Sequence, residues 1–348
     1  MSAEQQRSGP INDAIGYEVK IAGQAFKAGT GNTKGMVSIV VEDHVDMIGV
    51  AQATIGFVNQ NWKAYTAGSD FEVGLSGSKV PLFKGHITEV RYSFAKSRRE
   101  LTVVALDPQV KLMASRTTKV YEKMKDSDIA SAVISRAGCT AGTVDATSAK
   151  SDYTFQRNEP DLFFLKRLAA RNNYLLTASE GKVNFQSVQF SGDPVSIALG
   201  ELVRLEWGAS TMSLPPDVTV YGWDYVTKKM VKGKAGSGDV KLIGGGKNAA
   251  SETGKVWQKT SYISDVLVSS DAGALEMAKA EYNRLARGFL KGVAVVSGNA
   301  KIRAGVRVKF NDHGVGWNAE GYVVSSRHTV DEQGFLTEFH FVGNTKPV

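Results

Sequence analysis

Residues 152–169 read Asp152-Tyr153-Thr154-Phe155-Gln156-Arg157-Asn158-Glu159-Pro160-Asp161-Leu162-Phe163-Phe164-Leu165-Lys166-Arg167-Leu168-Ala169, and a change of period inside them organises the chain. Tyr153 and Phe155 alternate as in a short strand. Asn158 then stands as an N-cap, and Pro160 lies in the first turn, where its missing N–H costs nothing. Asp161 falls at the third helical position, where a carboxylate favours the dipole. Leu162, Leu165, Leu168 and Ala169 recur at i, i+3, i+6 and i+7 and make one apolar face. Asn172 and Asn173 close the helix, and Tyr174-Leu175-Leu176-Thr177 resumes as a strand. By itself the segment is a capped amphipathic helix between two strands.

Upstream of it the pattern is alternating. Tyr17, Val19 and Ile21 point one way, and Val37, Ile39 and Val41 repeat the arrangement. Ala51, Ala53, Ile55 and Phe57 follow, then Phe71, Val73 and Leu75, then 82–90 and 101–107. At least six strands at roughly ten-residue spacing, separated by Gly, Asn, Asp and Ser turns, argue for an antiparallel barrel or sandwich. After Leu112 the texture changes. Asp126 caps a helix with Ile129, Val133 and Ala137 on its face, and Gly138 stops it.

A second β region begins near Val195, with strands at 203–207, 218–223 and from Ser261 to Val268. A helix over 272–287 follows, with Leu275, Ala278, Tyr282 and Leu285 on one side. Strands at 293–296, 307–310, 322–324 and 336–341 complete the region. The expected units are a flexible arm at 1–14, a first β-barrel at 15–112, an α+β insert at 113–190 and a second β-barrel at 191–348.

The 348 residues suffice for two or three cored domains, and 42% hydrophobic with 22% charged content is globular in character. No run approaches the roughly 18 apolar residues of a spanning helix, and Met1–Arg7 has no signal-peptide core. A single cysteine, Cys139, excludes an internal disulfide and fits a reducing compartment; it reads as a small semi-buried residue after a helix end. The net charge of +7 invites an acidic partner. The one dense basic segment holds Lys228, Lys229, Lys232, Lys234, Lys241 and Lys247 against a single acid, Asp239, in a glycine-rich setting. That composition describes a mobile surface loop over 227–256. Contact with an acidic protein ranks behind a solvated loop, and nucleic acid comes last because no aromatics are interleaved for stacking.

Reactive residues do not cluster. His44, His86, His313, His328 and His340 are scattered without metal-ligand spacing. Asp43-His44 with Asp46 is the only local His/carboxylate group and reads as a turn. Gly74-Leu75-Ser76-Gly77-Ser78 misses the nucleophile-elbow pattern by one position. Gly246-Lys247-Asn248 lacks both the upstream glycine and the following hydroxyl of a phosphate loop. No catalytic, cofactor-binding or metal residue is assigned.

Four stretches, in order and spanning about 15–345, resemble the hub proteins of contractile tails: the phage late-control D proteins and the N-terminal half of VgrG. Leu82-Phe83-x-Gly85-x-Ile87 with Leu101-x-Val103-x-Ala105-x-Asp107 looks like that family's closing hairpin before its insert. The 152–169 segment follows, with Asn158, Glu159, Asp161, Phe164, Leu165 and Leu168 in the motif. Gly298 to Val308, around Gly305, resembles its glycine turn and strand. Gly321-Tyr322-Val323-Val324-x-x-Arg327-His328, with Gly334-Phe335-Leu336-Thr337-x-Phe339, resembles its final hairpin.

The resemblance implies a mainly β protein: two tube-like antiparallel β-barrels flanking a small α+β region. Three subunits would form a ring that offers pseudo-sixfold symmetry to a hexameric tail tube and threefold symmetry to a trimeric spike. The chain ends at Val348 just after the final hairpin, so the spike is expected to be a separate polypeptide. Expected partners are two further copies in a homotrimer, the tail tube protein, the spike protein and other baseplate proteins. No membrane insertion is expected, and nucleic acid would at most pass through the channel. The expected place is the baseplate of a phage tail or an injection particle, assembled in the bacterial cytoplasm. The expected role is structural, without enzymatic activity or cofactor. The alternative is a tail-associated peptidoglycan hydrolase.

Overall fold

The computed structural model describes residues 16–27, 35–56, 64–75, 80–95, 98–114, 116–190, 192–212, 214–253, 260–311 and 319–346. The expected arm at 1–14 lies outside them, as do Phe57, Ser76, Gly77, Ser78 and His313.

Seven strands come first: β1 (Tyr17–Ile21), β2 (Gln24–Lys27), β3 (Met36–His44), β4 (Val50–Gly56), β5 (Asp70–Leu75), β6 (Phe83–Ala95) and β7 (Arg98–Leu106). Period-two patterning sets their faces. On β5, Phe71, Val73 and Leu75 are buried while the residues between them are not. The outer half of β6 loses this pattern and is exposed, so the β6–β7 hairpin runs out beyond the core.

The α+β segment holds β8 (Arg116–Lys125), α1 (Asp126–Arg136), β9 (Ala141–Val144), β10 (Lys150–Pro160), α2 (Asp161–Arg171), β11 (Tyr174–Ser179) and β12 (Lys182–Ser187). Strands β8 and β10 form a two-stranded ribbon, and β11, β12 and β9 a small sheet. Leu162, Phe164, Leu165 and Leu168 pack with Ile129, Val133 and Ile134 of α1 in one apolar cluster.

The last stretch holds β13 (Val195–Ile197), β14 (Leu202–Ala209), β15 (Asp217–Asp224), β16 (Lys229–Gly236), α3 (Ala250–Thr253), β17 (Ser261–Ile263), α4 (Asp271–Ala286), β18 (Leu290–Ser297), β19 (Arg307–Phe310), β20 (Ala319–Asp331) and β21 (Gly334–Gly343). Strands β16, β15 and β17 form a separate three-stranded sheet backed by α4.

The protein is mainly β, with one large curled sheet. Its order is β14-β18-β21-β20-β3-β4-β7-β6-β5-β1-β2, with β13 and β19 attached beside β20. The two β regions therefore share a sheet. Antiparallel pairing of β20 with β3, from Ser325 opposite His44 to Val330 opposite Ile39, fuses them. The apolar cores on the two sides of that seam stay distinct, and Val330 of β20 contributes to the first.

Three local expectations are corrected. Asn158 is no helix cap: it adopts φ +45° at a bulge in β10, whose pairing with β8 runs on to Pro160. Asparagine tolerates that left-handed conformation better than most residues, and α2 begins only at Asp161, with Pro160 in the cap position. Asp126 is likewise the first residue of α1, after Lys125. The 227–256 segment is no loop over 229–236, where β16 runs. There Val231, Gly233 and Ala235 turn inward and lysines alternate outward. Gly233 is required because α4 comes so close that a Cβ would meet Leu275 N at 2.1 Å.

Helix α4 begins after Ser270, whose Oγ accepts from Gly273 N at 3.1 Å. Of the expected face, Ala278 and Tyr282 are buried and Leu285 packs partly against the same core, while Ala274 and Ala286 complete the buried stripe and Leu275 stays outside that cluster.

Candidate assembly site

Where β3 and β20 meet, a partly buried polar chain crosses the seam. Asp43, near the end of β3, accepts at Oδ2 from Arg303 Nε at 2.8 Å and at Oδ1 from Ala304 N at 3.2 Å. The Ser326 hydroxyl also donates to Asp43 Oδ1. His328, two residues on along β20, sets Nε2 3.2 Å from Ser326 Oγ and Nδ1 3.1 Å from Thr337 Oγ1. Asn299 N donates to Thr337 Oγ1 at 3.0 Å.

With the Ser326 proton directed to Asp43, the serine oxygen is left to accept from His328 Nε2. Burial pushes His328 down to about 4, against the pull of Asp43. The group contains a serine, a histidine and an aspartate. The serine stands between the other two and is buried, its proton committed to the carboxylate. These hydrogen bonds link β3, β20, β21 and the 299–304 turn.

Asp107 makes the second tie. It caps the 3-10 turn Pro108–Met113, accepts from Gln109 N at 2.7 Å, and takes Gly49 N from the β3–β4 connection at 2.6 Å. Burial raises its carboxyl to about 6, with the Gly49 and Gln109 bonds opposing. Lys166 of α2 donates to the Asp46 carbonyl in the same connection. Arg287, after α4, donates to Asn173 Oδ1 at 2.8 Å. Tyr322 packs edge-on against Phe190, and burial raises its hydroxyl to about 12. A cleft of about 310 Å³ opens here, lined in part by Asp43, Asp107, Arg303 and Tyr322.

Most of the motif residues fall into two groups. Asp107, Gly305, Tyr322 and His328 meet at this junction. Gly305, at φ +92°, bonds its N–H to Val323 O at 2.8 Å in the turn that delivers Arg303. Asp161 lies in the α+β segment, buried, accepting from Arg136 Nη2 at 2.6 Å and Gln156 Nε2 at 2.7 Å. Glu159 takes Arg167 Nη2 at 2.5 Å, and the Phe164 ring stacks on Tyr121 at 5.6 Å. Gly85 and Gly321 are close-approach positions: a Cβ would lie 2.2 Å from Leu106 O and 2.7 Å from the Phe341 ring. Asn158 and Gly85 stand apart from the junction. Sequence reasoning missed Asp43–Arg303 and Asp107–Gly49, since partners far apart in the chain leave no local pattern.

Exposed apolar side chains mark surfaces fit for partners. Tyr92 and Phe94 stand on the projecting β6–β7 hairpin, Val120 faces Phe155 across the β8–β10 ribbon, and Val203 and Trp207 lie on the edge strand β14. Among the described residues, no group of three or more His, Cys, Asp or Glu is placed to hold a metal, and no helix is long and apolar enough to cross a membrane.

The fold is similar to that of several solved tail proteins. A prophage MuSo2 tail protein from Shewanella oneidensis superposes with a TM-score of 0.71 at 15% identity, over 94% of this chain and 98% of that one. A tail protein from Neisseria meningitidis MC58 gives 0.69 at 15% identity, over 95% and 97%. The E. coli c3393 protein is a component of the type VI secretion system similar in structure to T4 tail proteins gp27 and gp5. It gives 0.62 at 10% identity, over 90% of this chain and 74% of that one. At these identities the likeness is one of fold.

By sequence, residues 12–332 match the model of the Alg8 N-terminal domain family, and the chain belongs to that family. That description differs from the late-control D and VgrG resemblance. No curated protein matches the chain.

Proposed function

We propose that the chain is a structural hub in the baseplate of a contractile phage tail or phage-derived injection system. In this reading three copies form a ring, its β regions act as two tube-like units facing a hexameric tail tube, and a separate trimeric spike docks below. The protein works by geometry and carries no catalytic step. Its place is the tail end of a virion or injection particle, assembled in the bacterial cytoplasm. The observation that carries the reading is the fusion of two β regions into one sheet at β20–β3, in a fold shared along nearly its whole length with tail proteins.

Joining the regions through a polar seam gives each subunit a fixed angle between them, which a closed ring needs. Light scattering across a concentration range tests it. A species near three times 37.4 kDa supports the ring; a monomer at every concentration, with or without tube and spike proteins, overturns it. A peptidoglycan zymogram with a cleared band lost on one carboxylate substitution would overturn the non-catalytic part.

A further inference from the structure

The cleft of about 310 Å³ at the junction has a floor and a wall of different make. Its floor is the non-core face of the small β11–β12–β9 sheet. Leu176, Val183 and Phe185 turn into the apolar cluster with α1 and α2, so alternation aims Thr177, Asn184 and Gln186 the other way. Thr143 of β9 joins them, since its neighbour Val144 packs on that same cluster. The wall is the Asp43–Arg303 pair, with Asp107 and Tyr322.

The floor is fixed by its own bonds. Asn184 Oδ1 accepts from Thr143 N at 2.8 Å, and Asn184 Nδ2 donates to Ser179 Oγ at 2.9 Å. Gly142 makes room for that amide, because a Cβ there would lie 2.1 Å from Asn184 Oδ1. At the rim Glu180 (φ +52°) and Gly181 (φ +77°) form the β11–β12 turn, and a Cβ on Gly181 would lie 3.1 Å from Lys84 Cδ of β6. Among the described residues, Thr143 Oγ1, Thr177 Oγ1 and the Gln186 amide make no hydrogen bond. Ser179, which accepts from Asn184, keeps its own proton to give.

Charge in the cleft is settled within the chain. Asp43 pairs with Arg303, and Asp107 accepts from Gly49 and Gln109. Among the charged lining residues only Glu180, exposed at the rim, lacks such a partner. Recognition here falls to hydroxyl and amide groups.

We propose that this cleft binds a neutral, hydroxyl-rich ligand of the saccharide class. Sugar hydroxyls both donate and accept, which suits a floor that mixes hydroxyls with a primary amide. The apolar faces of the ring meet Leu175, Val80 and Pro81. The volume lies at the lower end of small-ligand sites, about 300–1,000 Å³, so a short saccharide is the expected size. The inference goes beyond the hub reading and stands whether or not the chain forms a ring.

The test uses the full chain with maltose, N,N′-diacetylchitobiose and a terminally blocked triglycine, read by saturation-transfer NMR and calorimetry. At least one disaccharide should bind, and salt should leave its affinity unchanged, because no ion pair is made. Thr177→Val with Gln186→Leu keeps the shape of the floor and should weaken binding at least about tenfold. The thermal midpoint should stay in place, since neither side chain is bonded within the chain; if the pair of substitutions loses the fold, either one alone carries the same test. The proposal is overturned if neither disaccharide binds at millimolar concentration, or if binding survives the substitutions. It is also overturned if triglycine binds as well as the sugars, which would make the cleft a seat for extended peptide. Light scattering on the same samples reads the ring separately, so the failure of one reading is distinct from the failure of the other.

Discussion

Arg303 Nε lies 2.8 Å from Asp43 Oδ2, and 260 residues of chain separate the two. The pair is mostly shielded, and Asp43 also takes Ala304 N and the Ser326 hydroxyl. It closes the β3–β20 seam from the side of the turn that leads into β19. Removing either partner leaves a charge without its counterpart in a low-dielectric setting. Asp43→Ala and Arg303→Ala should each destabilise by about 2–3 kcal/mol. The double variant should cost clearly less than the sum, as read from denaturant midpoints in a double-mutant cycle.

Asp107 and His328 predict opposing pH responses. The Asp107 carboxyl is raised from 3.8 to about 6, so the folded state holds its proton more tightly than the unfolded chain. Its favourable contribution is full below pH 4 and is lost as pH rises through 6. The His328 imidazole is lowered from 6.5 to about 4. Its contribution is full above 6.5 and is lost as pH falls towards 4. Each swing is on the order of 2–3 kcal/mol, and between pH 4 and 6 they oppose. Relative to the parent chain, Asp107→Asn should gain stability with rising pH in that window, and His328→Gln should lose it. Parallel curves for parent and variants would refute the assignment.

Phe164 and Leu165 are completely buried between α1, α2 and the ribbon. Replacing either with alanine should lower stability by about 2–5 kcal/mol, the larger cost falling where the cavity relaxes least. Phe163, exposed on the same helix, is the internal control: its alanine variant should change the midpoint by less than about 0.5 kcal/mol.

At Asn158 the φ of +45° separates a bulge from a cap. Asn158→Gly should be neutral or slightly stabilising, since glycine enters the left-handed region freely. Asn158→Ala should cost about 1 kcal/mol. Equal losses from the two would contradict the bulge geometry.

Much of the strand content was legible because alternation reports burial directly, as Phe71, Val73 and Leu75 show. The apolar face of α2 was legible for the same reason at a different period. Asn158 misled because a good capping residue is also a good left-handed residue, and tertiary pairing of β10 with β8 decided between them. The lysine-rich hairpin misled because glycine there serves close packing under α4 rather than freedom, a distinction composition does not carry. The junction was the least legible part. Asp43 and Asp107 were visible only as a turn residue and a hairpin end, because their partners are set by topology.

The β20–β3 pairing also has a consequence for the order of events in folding. While the chain leaves the ribosome, β3 has β4 on one side and an open hydrogen-bonding edge on the other. That edge waits nearly 300 residues, until Ser325–Val330 are made. The first apolar core also lacks Val330 until then. Such long-range closure makes folding slow, and an unpaired strand is a template for wrong partners. A shortfall of the last hairpin therefore threatens the first third of the molecule as much as the last.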